Sequence, residues 1–332
     1  MNMADIRDHL HMPPVATGGG WRGSLRLGES MSRHVSWRAG GPAARVYVPA
    51  DMADLQAFLS SLGADEPVCF VGLGSNLLVR DGGYAGTVVL MHRTRGEMRF
   101  EDRLIYAEAG VAAPKVARFA ATNELEGAEF LAGVPGTVGG ALAMNAGCYG
   151  SETWDHVVRV RVIARDGKLR ERTRNEYEVD YRHCVRKNSG PVATDDGDQE
   201  WFVGAWFRFR PGDALAARKR IKELLARRIA SQPLELPNAG SVFRNPPGDH
   251  AARLVEACGL KGFAVGGARI SDKHANFIVN PLRAATAADI EALIGHAQVA
   301  VKERFGIELV PEVRIIGERA RGSTPPRAGG DA

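Results

Sequence analysis

The chain has 332 residues and a globular composition, with 45% hydrophobic and 25% charged residues, which is enough for about two domains and a substantial core. A net charge of +4 is too small to indicate nucleic-acid binding, and four scattered cysteines without a ligand spacing argue against a metal site and favour reduced thiols. Because no stretch is apolar for long enough to be a membrane span or a secretion signal, we expect a cytoplasmic protein, whose mild positive charge suits anionic small molecules. We also expect it to be a monomer.

The first part of the chain predicts a β-α-β arrangement. Residues 1–20 lack apolar periodicity and are expected to be disordered. Asp51 is a predicted helix N-cap, and a helix is expected over 52–62. A second helix is expected over 113–123. Strands are predicted over 44–50, 67–72, 87–92, 98–100 and 104–110.

A glycine-rich segment over 127–150 leads into the second part of the chain, which has no internal repeat. Residues 189–200 are polar and predict a surface loop, and 213–230 predicts a basic helix with a solvated face. We place a domain boundary near Pro211, and we expect the tail from Glu318 to be disordered. Further strands are predicted over 156–165, 168–173, 201–209, 275–280 and 312–317, and helices over 250–259 and 286–305.

The predicted strand over 67–72 runs into Gly72-Leu73-Gly74-Ser75-Asn76-Leu77, which matches a GxGxxG dinucleotide fingerprint except at its last position. A dinucleotide loop of that kind should open a helix, yet the residues that follow are extended and then turn. We therefore predict a different phosphate-binding loop. Gly72 and Gly74 would let backbone N–H groups approach an anion, and Ser75 and Asn76 would add donors.

A second loop spans Gly133-Val134-Pro135-Gly136-Thr137-Val138-Gly139-Gly140 and lacks the Lys of a Walker A motif, which disfavours nucleotide hydrolysis. Two such loops, some sixty residues apart, could clamp one long cofactor. They could equally be ordinary tight turns, and the residues alone leave both possibilities open.

Four segments in this order, VGLGSNLLV, EFLAGVPGTVGGALAMNAGCYG, NAGSVFRNP and PEVRIIG, resemble the UDP-N-acetylenolpyruvoylglucosamine reductase family, over about 37–317. The resemblance implies an α+β fold with an FAD-binding domain of the vanillyl-alcohol oxidase and p-cresol methylhydroxylase type. That domain would occupy 21–211, as two α+β subdomains over about 21–92 and 93–211. A C-terminal α/β substrate-binding domain would occupy 212–317.

The activity implied by the resemblance is NADPH-dependent, FAD-mediated reduction of an enolpyruvyl nucleotide sugar in peptidoglycan precursor synthesis. The FAD would be non-covalent, because the GLGSN loop lacks the His or Cys to which related flavins are linked. His34 is expected at the surface. The implied FAD contacts are Gly72, Gly74, Ser75, Asn76, Gly133, Pro135, Gly136, Thr137, Gly139, Gly140 and Asn145.

Hydride addition to the terminal carbon of the enol ether requires a proton donor at the ether carbon and partners for the substrate carboxylate. The resemblance makes Ser241 the proton donor, in a Pro- and Gly-containing turn that would hold its hydroxyl rigidly. A serine in such a turn is more often structural, so only the motif match favours the catalytic role.

Glu312 and Arg314 lie two apart in a predicted strand, which places both on one face. The resemblance makes Glu312 catalytic, polarising the substrate carboxylate, although the residues also fit an edge-strand ion pair. Arg182 matches the family's catalytic arginine, a bidentate partner for a carboxylate. The remaining implied substrate contacts are Tyr181, Arg244, Asn245 and Arg314.

The basic helix follows the FRFRP segment almost at once, which resembles the family branch that lacks a tyrosine-bearing lid. Two other functions remain open from the sequence. One is a flavin enzyme of the same fold that oxidises an alcohol or amine, and would react rapidly with oxygen. The other is a catalytically silent nucleotide-binding module, against which the joint presence of Ser241, Glu312 and Arg182 argues.

Overall fold

The computed structural model describes residues 20–93, 96–187 and 199–320. Most of the loop predicted over 189–200 and nearly all of both predicted disordered ends lie outside the described residues. Within the described ranges, no helix has the length and apolarity that a membrane crossing requires. The same ranges hold no cluster of three or more His, Cys, Asp or Glu side chains placed to bind a metal ion.

The first packing unit is a four-stranded sheet whose strands lie in the order Ser24–Ser30 (β1), Pro42–Val48 (β2), Tyr84–Leu90 (β5) and Val68–Val71 (β3). The strand β1 is antiparallel to β2, whereas β2, β5 and β3 run parallel. The predicted N-cap at Asp51 is confirmed, since its Oδ1 accepts from the Asp54 N–H at 2.9 Å. The elements are β1 Ser24–Ser30, β2 Pro42–Val48, α1 Met52–Ser60, β3 Val68–Val71, β4 Leu77–Val79 and β5 Tyr84–Leu90, with short 3-10 helices Met31–Arg33 and Met91–Arg93.

The strand β4 leaves that sheet and pairs in parallel with the last strand of the chain, β20 Arg314–Ile316. The GLGSN loop therefore joins two strands instead of opening a helix. This confirms the prediction that the loop is not a Rossmann turn. It also brings the loop beside the C-terminal segment that carries Glu312 and Arg314.

The middle packing unit is built on a five-stranded antiparallel sheet whose strands lie in the order Leu169–Thr173 (β12), Val157–Ala164 (β11), Glu200–Phe207 (β15), Leu104–Glu108 (β7) and Met98–Glu101 (β6). Its core buries one face of the helix Ala113–Thr122 (α2), together with the short helix Val138–Ala143 (α3) and the segment Glu129–Gly133. The elements are β6 Met98–Glu101, β7 Leu104–Glu108, α2 Ala113–Thr122, β8 Leu125–Glu126, the 3-10 helix Glu129–Gly133, α3 Val138–Ala143, β9 Gly147–Cys148, β10 Ser151–Glu152, the 3-10 helix Thr153–Asp155, β11 Val157–Ala164, β12 Leu169–Thr173, the 3-10 helix Arg174–Glu176, β13 Tyr177–Asp180, β14 His183–Arg186, β15 Glu200–Phe207 and β16 Arg210–Pro211.

The basic helix α4, Ala214–Ser231, packs mainly on the middle unit, and Lys273 Nζ of the C-terminal unit donates to its Ile229 carbonyl at 2.7 Å. Its buried side chains Ala217 and Ile221 join the core that contains α2, and Leu225 packs against the same core. These positions lie four residues apart, so they form one face of the helix. The helix therefore shares its core with the middle unit, and the domain boundary near Pro211 stays a prediction.

The C-terminal unit surrounds the long helix α6, Ala287–Phe305, which buries Ile290, Leu293 and Ile294. The fully buried Trp37 ties this unit to the first one, because its Nε1 donates to the Ile278 carbonyl at 2.7 Å. The strands predicted over 275–280 and 312–317 are shorter than expected. The elements are α5 Ala251–Ala257, β17 Ala264–Val265, β18 Ala268–Ile270, β19 Ile278–Val279, α6 and β20.

Candidate active site

A cavity of about 390 Å³ lies where the three packing units meet. Of the described side chains that line it, Arg182, Arg228 and Arg314 are basic and Glu312 is acidic, so the lining favours an anionic ligand. The sequence-predicted residues in its wall are Gly72, Gly74, Ser75, Asn76, Gly133, Pro135, Gly136, Thr137, Gly140, Arg182, Ser241, Glu312 and Arg314.

Glycine is required at 74 for a reason that the sequence did not reveal. Its φ is +62°, and a methyl group there would clash with the His34 carbonyl and lie 2.6 Å from Val35 Cα. His34 itself is only 4% exposed, and its Nε2 lies 3.0 Å from Glu29 Oε1. The expectation that His34 lies at the surface is therefore wrong, because it packs beneath the first glycine loop.

The two glycine loops meet each other across the cavity. A methyl group on Gly72 would clash with Thr137 Oγ1. Thr137 also caps α3, accepting the Gly140 N–H at 3.5 Å. In contrast, a methyl group on Gly136 would have only Ser75 Oγ nearby, at 3.4 Å. The backbone at this point is therefore open to a ligand.

This arrangement fits an extended, phosphate-bearing cofactor such as FAD. The open glycine backbone and the basic lining both favour phosphate oxygens. Gly139 is not among the lining residues, because it packs on Ala109, whose carbonyl accepts its N–H at 2.9 Å. Asn145 also does not line the cavity and is 2% exposed.

Ser241 is held by a rigid turn whose geometry comes from its neighbours. Gly240 has φ +76°, and its N–H donates to Asn238 Oδ1 at 2.9 Å. On the other side, Asn276 fixes Phe243 by accepting its N–H and donating to its carbonyl, both at 2.9 Å. The Ser241 hydroxyl makes no hydrogen bond to the described residues, so its proton is available to a ligand in the cavity.

Glu312 is positioned by both neighbouring loops. Its backbone N–H donates to the Val242 carbonyl at 2.7 Å, and its carbonyl accepts from Asn76 Nδ2 at 3.1 Å. One N–H donor of the Asn76 side-chain amide is therefore bonded to the backbone of Glu312. Burial raises the pKa of the Glu312 carboxyl, although the nearby Arg182 and Arg244 act in the opposite direction.

Arg182 reaches the same cavity from the tip of the β13–β14 hairpin. Its Nε donates to Glu312 Oε1 at 2.8 Å, and both side chains are 15% exposed. Its two terminal nitrogens donate to the Asn145 and Gly147 carbonyls at 3.4 and 3.1 Å. Glu312 therefore pairs across the cavity with Arg182. The sequence had suggested only a neighbour in its own strand.

Three of the four predicted substrate contacts do not line the cavity. Tyr181 is 39% exposed beside Arg182, whose guanidinium carbon lies 4.9 Å from the ring centroid. The Nε of Arg244 is buried and has no hydrogen-bond partner among the described residues. Asn245 is exposed, and its Oδ1 accepts the Ala251 N–H at 3.1 Å at the start of α5. Only Arg314 of this set lies in the wall.

Sequence reasoning missed Tyr149, Arg228 and Gln232, which all line the cavity. Arg228 belongs to the helix α4, for which the sequence predicts a solvated face. Its side chain nevertheless donates to the Gly133 carbonyl, and its Nε donates to Gln232 Oε1 at 2.7 Å. It lies seven residues after the buried Ile221, on the inward face of α4. That spacing was a usable signal, whereas the position of Tyr149 depends on packing against α4.

Two thiols line the cavity, and neither is activated. Burial raises the pKa of Cys69 and raises that of Cys148 to about 11, outweighing the nearby arginines at Cys148. Since the thiolate is the nucleophile, we expect no cysteinyl flavin. Acid precipitation of the purified protein should release the flavin as intact FAD, measured by chromatography of the supernatant. Flavin retained in the pellet would contradict this expectation.

The chain matches known proteins in both halves of this site. Residues 43–173 match a family model described as an FAD binding domain. Together with the two glycine loops and the basic cavity, this match defines the chain as a flavin-binding protein of α+β fold, as predicted. Residues 232–316 match the model for the C-terminal domain of UDP-N-acetylenolpyruvoylglucosamine reductase.

Whole-chain relatives define the family. The UDP-N-acetylenolpyruvoylglucosamine reductase of Thiobacillus denitrificans is 55% identical over 95% of this chain and 100% of its own length. The reductase of Nitrosospira multiformis is 57% identical over 97% of this chain and 95% of its own length. The crystal structure of the Thermus caldophilus reductase has a TM-score of 0.72 at 31% identity, over 89% of this chain and 98% of that one. This chain belongs to the UDP-N-acetylenolpyruvoylglucosamine reductase family.

Proposed function

We propose that the chain reduces UDP-N-acetylenolpyruvoylglucosamine to UDP-N-acetylmuramate with NADPH and FAD, in peptidoglycan precursor synthesis. One observation carries this proposal. Arg182, Ser241 and Glu312 come from three distant segments and converge on one cavity beside the two glycine loops. The FAD would be held by the two N-terminal packing units, and the C-terminal unit would bind the substrate.

The residues that would hold FAD are those of the glycine loops that face the cavity. FAD bound there would supply the redox chemistry, hydride transfer from NADPH to the terminal carbon of the enol ether. The protein's own contribution is the proton. Ser241 Oγ–H would protonate the ether carbon, and its unpaired hydroxyl on a rigid turn is suited to that role.

Glu312 and Arg182 would act on the substrate carboxylate. A raised pKa keeps Glu312 neutral over a wider pH range, so its carboxyl can donate a hydrogen bond to a carboxylate. A guanidinium has five N–H donors. Three of them are engaged by Glu312, Asn145 and Gly147, which leaves two for the developing negative charge.

The nucleotide diphosphate would meet the other cavity arginines, Arg228 and Arg314, with Tyr149 closing the wall beside α4. Tyr149 Oη donates to the Leu224 carbonyl at 2.8 Å, which fixes it against the helix. The helix α4 begins at Ala214, directly after β16, and this supports the branch without the tyrosine lid. The exposed Tyr181 would contact substrate at the mouth of the cavity.

The raised pKa of Glu312 predicts a pH-dependent stability difference. A carboxyl with a raised folded-state pKa contributes stability below its unfolded pKa, and this contribution is lost as the pH rises through the folded value. The Glu312→Gln variant has no titrating carboxyl at this position, so it does not undergo this loss of stability. Its melting temperature relative to wild type should therefore rise as the pH increases above about 4, the pKa of an unperturbed glutamate. A relative melting temperature that falls with pH would show that pairing with Arg182 dominates.

Oxidation of an alcohol or amine on the same fold is the competing activity, and membership of the reductase family favours the reduction. Steady-state NADPH consumption separates the two. Without oxygen, we expect NADPH to be consumed only when UDP-N-acetylenolpyruvoylglucosamine is present. The product should be heavier than this substrate by two hydrogen atoms. No NADPH consumption with this substrate, together with flavin reduction by an alcohol or amine and reoxidation by oxygen, would support the oxidase.

A further inference from the structure

Arg182 has an unusual backbone conformation for the residue that meets Glu312. It lies in the two-residue tip between Asp180 and His183, with φ +54°, in the left-handed region that side chains rarely adopt. Such conformations persist where the surrounding structure fixes them, and they concentrate at functional sites. Some element must therefore hold this tip.

The element that holds it is the side chain of Asn145. Its Nδ2 donates to the Asp180 carbonyl at 3.1 Å and to Glu152 Oε2 at 2.7 Å, and its Oδ1 accepts the Trp154 N–H at 3.1 Å. A side-chain amide has two N–H donors. Both are engaged, so the Asn145 side chain has no N–H left for a cofactor phosphate.

The same loop also holds the head of Arg182. The carbonyls of Asn145 and Gly147 accept from its terminal nitrogens, while Glu312 takes its Nε. Glu152 pairs with Gly147 in the short β9–β10 ladder, and a methyl group on Gly147 would lie 2.9 Å from Glu152 Cγ. Glu152 thus constrains both the Asn145 side-chain amide and the Gly147 carbonyl, which accepts from the Arg182 guanidinium.

We propose that Asn145 and Glu152 are positioning residues that fix Arg182 against Glu312, and that Asn145 is not a cofactor contact. This inference rests on the proposed function of Arg182 and replaces the FAD role that the resemblance implied for Asn145. Because a misplacement of about 1 Å can cost ~10²-fold in rate, loss of the pair should act on the substrate step.

Asn145→Asp tests the proposal, because it keeps the size of the side chain and loses both N–H donors. We expect reoxidation of reduced flavin by the enolpyruvyl substrate to slow by ~10–100-fold. Flavin reduction by NADPH and the FAD affinity of the apoprotein should stay near wild type. In an Arg182→Ala background, Asn145→Asp should slow reoxidation by less than about 2-fold more, because it acts through Arg182. Ser151→Ala is the matched control. The Ser151 hydroxyl lies in the β9–β10 hairpin next to Glu152 but contacts His156, so its removal should leave all rates unchanged.

A readout independent of turnover is hydrogen exchange at the Arg182 Nε–H, followed by NMR. Exchange should be slow in wild type and faster in Asn145→Asp. Weaker FAD binding, slower flavin reduction and multiplicative effects with Arg182→Ala would overturn the proposal in favour of a cofactor contact. Wild-type protein that is never reoxidised by the substrate would instead reject the proposed function.

If Asn145→Asp fails to fold, Glu152 decides the matter. Glu152→Ala should slow the substrate step and accelerate exchange at Arg182. Glu152→Gln should restore both, because its amide oxygen can still accept from Asn145. Equal behaviour of the Ala and Gln variants would overturn the proposal.

Discussion

Ser241→Ala is expected to separate the two halves of the reaction. Flavin reduction by NADPH needs no proton on carbon, so the variant should bleach at near the wild-type rate. Reoxidation by UDP-N-acetylenolpyruvoylglucosamine requires protonation of the ether carbon, and it should slow by ~10²–10⁴-fold, the range for a lost general acid. Stopped-flow absorbance of the flavin measures both phases.

Two further serine variants sharpen this result. Ser241→Cys should recover part of the rate, since a thiol can still donate a proton. Ser61→Ala removes a hydroxyl that donates to the Phe58 carbonyl at the end of α1, outside the cavity wall, and should behave as wild type. Equal slowing of both phases in Ser241→Ala would indicate displaced flavin. No slowing of reoxidation would remove Ser241 from the mechanism.

The second large effect is expected at the pair across the cavity. Arg182→Lys should lower kcat by ~10²-fold or more, because an ammonium on a flexible stem cannot meet Glu312, Asn145 and Gly147 together as the planar guanidinium does. Glu312→Gln should lose turnover to a similar extent, since it changes the charge and the acidity of the group at the substrate carboxylate. Steady-state kinetics with both substrates varied measure the two losses.

Arg186→Lys provides the matched control for the arginine. Arg186 lies in β14 of the same hairpin, and its Nη1 contacts Glu200 at 3.5 Å, outside the cavity wall. The control should retain near-normal kcat. Near-normal kcat in both Arg182→Lys and Glu312→Gln would reduce their pair to a structural ion pair.

Local patterns were sufficient to predict most of the fold. Alternating and amphipathic runs predicted the helices α1, α2 and α6 and, except for β1, the strands of both large sheets, with ends shifted by a few residues. The extended residues after GLGSN correctly excluded a Rossmann turn. The strand segment 312–317 placed Glu312 and Arg314 on one face, and both do reach the cavity.

What failed depends on contacts between residues distant in sequence. The environment of His34 is set by the first glycine loop, and the inward turn of Arg228 by the packing of α4 on the middle unit. The Arg182–Glu312 contact joins residues 130 positions apart. Asn145 stands in a glycine-rich motif that suggested a cofactor contact. Only the geometry reveals that its amide is fully engaged by Glu152, the Asp180 carbonyl and the Trp154 N–H.

A single-turnover experiment without oxygen tests the central claim, that this cavity reduces an enol ether through a bound flavin, most directly. Protein reduced by one equivalent of NADPH is mixed with UDP-N-acetylenolpyruvoylglucosamine, and the flavin absorbance is followed while the product mass is determined. We predict that the yellow colour returns in one phase with formation of UDP-N-acetylmuramate. A flavin that stays bleached in the presence of this substrate, and recovers its colour only when oxygen is admitted, would contradict the account.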